Sequence, residues 1–160
     1  MPRYRTFEEH MDAAVGPKRM LALDGGGLRG MLTVGLLRKL EQTLRQRFDD
    51  PGMRLCDYFD LIGGTSTGAI IAAGLSLGMT VDDVEAQYRK LGHKVFKKSF
   101  WRRGIVNSAY DAGAVADALQ DVFGSRTLAS TDFRTGLMVL SKRYDTGSAW
   151  PLTNNRAAKY

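Results

Sequence analysis

Hydrophobic positions along the chain alternate between short continuous runs and long helical repeats. Lys18-Arg19-Met20-Leu21-Ala22-Leu23 is compact and mostly apolar, which predicts a first buried strand. It runs into Asp24-Gly25-Gly26-Gly27-Leu28-Arg29-Gly30, where the pattern stops. A helix follows, with Leu36, Leu37, Leu40 and Leu44 assigned to one face and Arg38, Glu41, Arg45 and Arg47 between them. Asp49-Asp50-Pro51-Gly52 ends it. A second apolar run, Tyr58 to Ile62, stops at Gly63-Gly64, and Ala69-Ile70-Ile71-Ala72-Ala73 opens a wholly apolar helix. Thr80-Val81-Asp82-Asp83 caps a further helix to about Leu91. Asp111 reads as the N-cap of another, running to Phe123 and stopping at Gly124. Two strand–glycine-loop–helix units in succession predict an α/β fold with a central, mostly parallel sheet flanked by helices.

Chemistry enters at the two glycine loops. In Gly64-Thr65-Ser66-Thr67-Gly68 the serine lies between a strand and a helix, the context in which G-x-S-x-G presents a nucleophile on a tight turn. Gly64 and Gly68 keep that turn uncrowded, and the N-terminus of the following helix favours an oxyanion. An ordinary strand-to-helix turn with Ser66 as its N-cap would use the same residues. Gly25-Gly26-Gly27 leaves backbone N–H groups open beside a helix start, which suits an anion. No Gly-Lys-Ser/Thr follows, so this is not a P-loop. Gly25-x-Gly27-x-x-Gly30 fits a dinucleotide fingerprint literally, but the acidic residue that should end the next strand falls instead in the Asp49-Asp50 turn. The loop is better paired with Ser66, as the donor of hydrogen bonds to the oxyanion of an ester under attack.

Asp24-Gly25-Gly26-Gly27-Leu28-Arg29-Gly30 followed in the next unit by Gly64-Thr65-Ser66-Thr67-Gly68 closely resembles the patatin-like phospholipases. The resemblance spans roughly 18–160, with 1–17 an amphipathic lead-in ending at Gly16-Pro17, and Phe133 to Leu140 agrees more loosely as a strand. It implies a three-layer architecture, incomplete in this chain, and hydrolysis of acyl esters in phospholipids or lysophospholipids. Ser66 is then the nucleophile of a Ser–Asp dyad, and Gly25, Gly26, Gly27 and the Thr67 N–H form the oxyanion hole. Arg29 is a candidate phosphate contact. The family's aspartate follows the strand near residue 140 in an Asp-Gly-Gly or Asp-Gly-Ala motif, and none occurs between that strand and Tyr160. Asp24, Asp60, Asp111, Asp132 and Asp145 are poorly placed as substitutes, so the base is expected beyond residue 160. Alternatively, the chain is a natural short form that cannot hydrolyse by itself.

Charge and the remaining residues refine this picture. The chain of 160 residues has 44% hydrophobic and 25% charged residues, as in an ordinary globular domain, with a net charge of +6. The two histidines, His10 and His93, read as surface residues rather than bases. One cysteine, Cys56, makes no internal disulfide and suits a reducing compartment. No signal-like or membrane-spanning apolar run occurs, so the expected location is cytoplasmic and peripheral to membranes. Between Gly92 and Arg103, Lys94, Lys97, Lys98, Arg102 and Arg103 interleave with Phe96, Phe100 and Trp101. Lys97, Lys98, Phe100, Trp101, Arg102 and Arg103 would suit an anionic membrane surface, although a surface helix with core-facing aromatics has the same pattern. Nothing else points to nucleic acid, and no cofactor or metal is implied. Two other classes stay open, a non-catalytic lipid-binding or regulatory module and a nucleotide-binding α/β domain.

Overall fold

A computed structural model describes residues 4–27, 30–92 and 112–158. Its described elements, in chain order, are α1 (Phe7–Met11), β1 (Met20–Leu23), α2 (Gly30–Phe48), α3 (Leu55–Tyr58), β2 (Leu61–Gly64), α4 (Thr67–Ser76), α5 (Val81–Leu91), α6 (Ala112–Phe123), β3 (Gly136–Lys142) and β4 (Ala149–Thr153). The four strands lie side by side in the order β1-β2-β3-β4. The first three are parallel, and β4 runs back antiparallel to β3. The sheet is therefore mixed but mostly parallel, the α/β class that the strand–loop–helix repeats predict.

Register decides where the loops emerge. Leu23 pairs with Gly64, and Gly64 with Val139, so β1 and β2 end level with each other. The loops that leave them start side by side at one edge of the sheet. The core forms where α4 lies across β1, β2 and β3, α5 packs on α4, and α2 packs on α5. Ile62, Ile71, Ala72, Leu75, Val34, Leu37, Val81, Val84 and Tyr88 fill those contacts. α4 is apolar on nearly every side because it is covered on nearly every side.

Several elements differ from the sequence-based expectation. The first strand starts at Met20 and borders the sheet among the described residues; Met20 is 72% exposed and only Leu23 is fully buried in it. On α2 the buried row is Gly30, Val34, Leu37, Glu41 and Leu44, while Leu36 is 74% exposed. Neighbours in a helix sit about 100° apart, so a face centred on Leu37 turns Leu36 outward. Glu41 is buried because its carboxylate pairs with Arg45 at 2.6 Å and accepts the Val81 N–H at the start of α5. β3 begins at Gly136 rather than Phe133. β4 follows a turn in which Gly147 adopts φ +67, and Pro151, which has no N–H to donate, lies within it on the described sheet's border.

The helices after the serine agree with expectation. Thr80 and Asp83 form a reciprocal capping box at the head of α5. α6 ends at Phe123, and Gly124 follows at φ +62. Asp111 lies outside the described residues. No described helix is long and apolar enough to cross a membrane.

Candidate active site

Ser66 sits between β2 and α4 with φ 50 and ψ −125. Residues with a side chain rarely adopt that backbone, which costs of order 1–3 kcal/mol. It occupies the N-cap position of α4, yet its hydroxyl makes no capping hydrogen bond. The first turn is closed by backbone groups instead: the Gly68 N–H donates to the Thr65 carbonyl at 2.8 Å, and the Ala69 N–H to the Ser66 carbonyl at 3.0 Å. An ordinary N-cap serine spends its hydroxyl on the helix. This one leaves it exposed and unspent.

Crowding explains the glycines. A Cβ on Gly64 would lie 2.5 Å from the Gly68 carbonyl carbon and 2.7 Å from the Leu23 carbonyl oxygen. One on Gly68 would run into the carbonyl oxygens of Leu23 and Asp24. The turn thus packs straight onto the end of β1. The glycine loop packs onto the turn in return, since a Cβ on Gly25 would lie 2.8 Å from the Ser66 Cβ.

Three consecutive loop residues are tethered. The Gly25 N–H donates to Thr65 Oγ1 at 3.0 Å, and the Gly26 N–H to Thr67 Oγ1 at 3.2 Å. The Gly27 carbonyl accepts the Tyr88 hydroxyl, and Gly30 lies directly against that same ring. Gly27 itself has φ +53. Among the described residues, the N–H groups of Gly27 and Thr67 have no acceptor. Thr65 and Tyr88 were not singled out by sequence. The threonines on both sides of Ser66 were visible as hydroxyl-bearing, β-branched neighbours, whereas nothing local to Tyr88 announces its partner.

Asp60 enters β2 from the opposite end to Ser66 and is buried there. It accepts hydrogen bonds from the Arg5 guanidinium at 2.6 Å and from the Arg19 N–H at 2.8 Å, and its Oδ1 is 2.8 Å from His10 Nδ1. Burial pushes against its charge, but the Arg19 N–H, His10 and Arg5 together hold the carboxyl below its ordinary value. His10 is only 2% exposed, which corrects the reading of it as a surface histidine. The pairing spans 50 residues, so no local pattern could show it. His93 lies outside the described residues. Burial pushes the Cys56 thiol up to about 12, which makes it a packing residue rather than a nucleophile. Asp24 is exposed beside the glycine loop. Among the described residues no hydrogen bond joins a carboxylate to Ser66, and no group of three His, Cys, Asp or Glu side chains is placed to hold a metal. Arg29, Lys97, Lys98, Phe100, Trp101, Arg102 and Arg103 also lie outside the described residues.

A family model for patatin-like phospholipase matches residues 21–159, nearly the whole chain. This chain belongs to the patatin-like phospholipase family. It is 36% identical over 128 residues to a cUMP-AMP-activated phospholipase of Escherichia coli, which covers 80% of this chain and 35% of that protein. It is 38% identical over 95 residues to a cGAMP-activated phospholipase of Vibrio cholerae serotype O1, covering 59% and 26%. Patatin-T5 of Solanum tuberosum is 32% identical over 112 residues, covering 66% and 28%. The chain spans only about a third or less of the length of these relatives. In this patatin-like chain the matched region takes in both glycine loops, the described strands from Leu21 onward and the tethering Tyr88.

Proposed function

We propose that this chain carries the nucleophile and oxyanion side of a serine lipid acyl hydrolase. The observation that supports this best is Ser66 itself: a strained backbone, an exposed hydroxyl withheld from helix capping, and a glycine loop packed against its Cβ. Strain kept at a site with no structural gain is a mark of function.

In the proposed reaction, the Ser66 oxygen attacks the carbonyl carbon of an acyl ester in a phospholipid or lysophospholipid. Its proton passes to an aspartate expected beyond residue 160, as in the Ser–Asp dyad that the resemblance implies. The carbonyl oxygen becomes an oxyanion facing the Gly25-Gly26-Gly27 loop and the Thr67 N–H, at the positive end of α4. Collapse of the tetrahedral intermediate expels the alcohol, which takes the proton, and water then releases the fatty acid from Ser66. The basic and aromatic residues Lys97, Lys98, Phe100, Trp101, Arg102 and Arg103 would bring the protein to an anionic bilayer from the cytoplasmic side, with Arg29 near the lipid phosphate.

The test treats the full-length native protein with a fluorophosphonate and maps the adduct, alongside acyl-ester hydrolysis in phospholipid vesicles. Assays include cGAMP and cUMP-AMP, because two relatives are named for activation by such molecules. The expected result is an adduct on Ser66 and hydrolysis abolished by Ser66→Ala. Hydrolysis that survives Ser66→Ala would overturn the proposal. Vesicle binding without any adduct would point to a non-catalytic lipid-binding module.

A further inference from the structure

Two of the loop N–H groups nearest Ser66 are already in use. Gly25 and Gly26 donate to the hydroxyls of Thr65 and Thr67, the residues on either side of the nucleophile. An N–H held at 3.0–3.2 Å by a hydroxyl oxygen cannot also point at an oxyanion without giving up that bond. The next donor along the loop, Gly27 N–H, has no acceptor among the described residues, and neither has Thr67 N–H at the first turn of α4. The Gly27 carbonyl is held from the far side by Tyr88.

We infer that Thr65, Thr67 and Tyr88 are positioning residues that fasten the glycine loop to the nucleophile turn, and that Gly27 and Thr67 supply the two N–H groups that receive the oxyanion. The inference rests on the reading of Ser66 as nucleophile. Three glycines in succession form the most flexible backbone available, and oxyanion donors are effective only when they are fixed before the reaction. Each of the three residues has its own tether: Gly25 to Thr65, Gly26 to Thr67, Gly27 to Tyr88. Threonine is suited to this because its branched Cβ restricts χ1, so the elbow backbone dictates where the oxygen sits. The hydroxyls of Thr65 and Thr67 therefore transmit the geometry of the Ser66 turn directly to the loop. Tyr88 extends the same support to α5, and a Cβ at Gly30 would collide with its hydroxyl, so the loop's exit is seated on that ring.

The experiment uses full-length protein labelled with ¹⁵N-glycine and ¹⁵N-threonine, before and after the fluorophosphonate reacts. The phosphonyl oxygen then stands where the oxyanion would form. The Gly27 and Thr67 amides should slow in hydrogen exchange and shift on adduct formation, while Gly25 and Gly26, protected beforehand, should change little. Movement of Gly25 or Gly26 with Gly27 unaffected overturns the assignment. In parallel, Thr65→Val, Thr67→Val and Tyr88→Phe should each lower kcat about 10- to 100-fold with KM within about twofold, the size expected for misplaced donors. Thr67→Ser should restore most of the loss, which a packing role for the threonine would not produce. Valine variants that fold and keep kcat within twofold overturn the positioning role. Failure of the native protein to form any adduct removes the reading of Ser66 and this inference with it, whereas an adduct with the wrong amides responding removes the inference alone.

Discussion

At the scale of single residues, the site is decided by where a side chain cannot be. Gly64 and Gly68 face backbone carbonyls rather than movable side chains, so an added methyl group has nowhere to go. Gly64→Ala should cost at least about 2 kcal/mol and abolish fluorophosphonate labelling of Ser66. A urea titration read beside the labelling rate checks both. If Gly64→Ala keeps native stability and labelling, the tight elbow is not what the glycines are for. The glycines and the serine were legible because tightness at a turn is written in consecutive residues. The tethers were not. The Thr65 and Thr67 hydroxyls meet amides of the preceding loop, and Tyr88 meets a carbonyl 61 residues earlier. Such contacts exist only once β1 and β2 have paired.

At the scale of elements, long helices and their caps follow the sequence closely because their signals are local. Thr80 and Asp83 announce α5, and the structure has the reciprocal cap there. Thr80→Ala should therefore cost about 1 kcal/mol, measured as a lowered urea midpoint with the slope unchanged. β1 and β4 were harder to read. Whether a short apolar strand is covered or borders the sheet depends on its neighbours, and Pro151 masks β4 as a turn. The least legible element is α1. Thr6 and Glu9 cap it locally, but what holds it is His10 and Arg5 on Asp60 of a distant strand entry. Asp60 binds its proton less readily in the folded chain than in the unfolded one. The stability it supplies is complete above the ordinary carboxylate range near pH 4 and is lost as pH falls through its lower folded value. Asp60→Asn should cost about 3 kcal/mol at neutral pH, since Arg5 and His10 lose their carboxylate. The gap between native and variant midpoints should close on acidification. A gap independent of pH would contradict the role of the charge.

At the scale of the whole molecule, the sheet separates a fastening edge from the edge that holds the candidate site. Asp60 and its partners gather where β2 begins, and Ser66 and the glycine loop gather where it ends, roughly 13 Å away along a four-residue strand. Effects at sites so far apart, with no shared partner, usually add. Asp60→Asn should therefore lower the melting temperature while leaving the rate of Ser66 labelling at 25 °C within about twofold. A labelling rate that falls with stability would show that the two edges communicate. The conformation of Ser66 has a further consequence. Its backbone angles are ones that glycine adopts freely, so Ser66→Gly should raise stability by about 1 kcal/mol even as it removes the hydroxyl. Under the proposed function, natural selection for a durable fold and natural selection for turnover pull in opposite directions at this position. In any lineage that ceased to need the reaction, Ser66 would be among the first residues to drift, and the molecule that lost it would be the sturdier one.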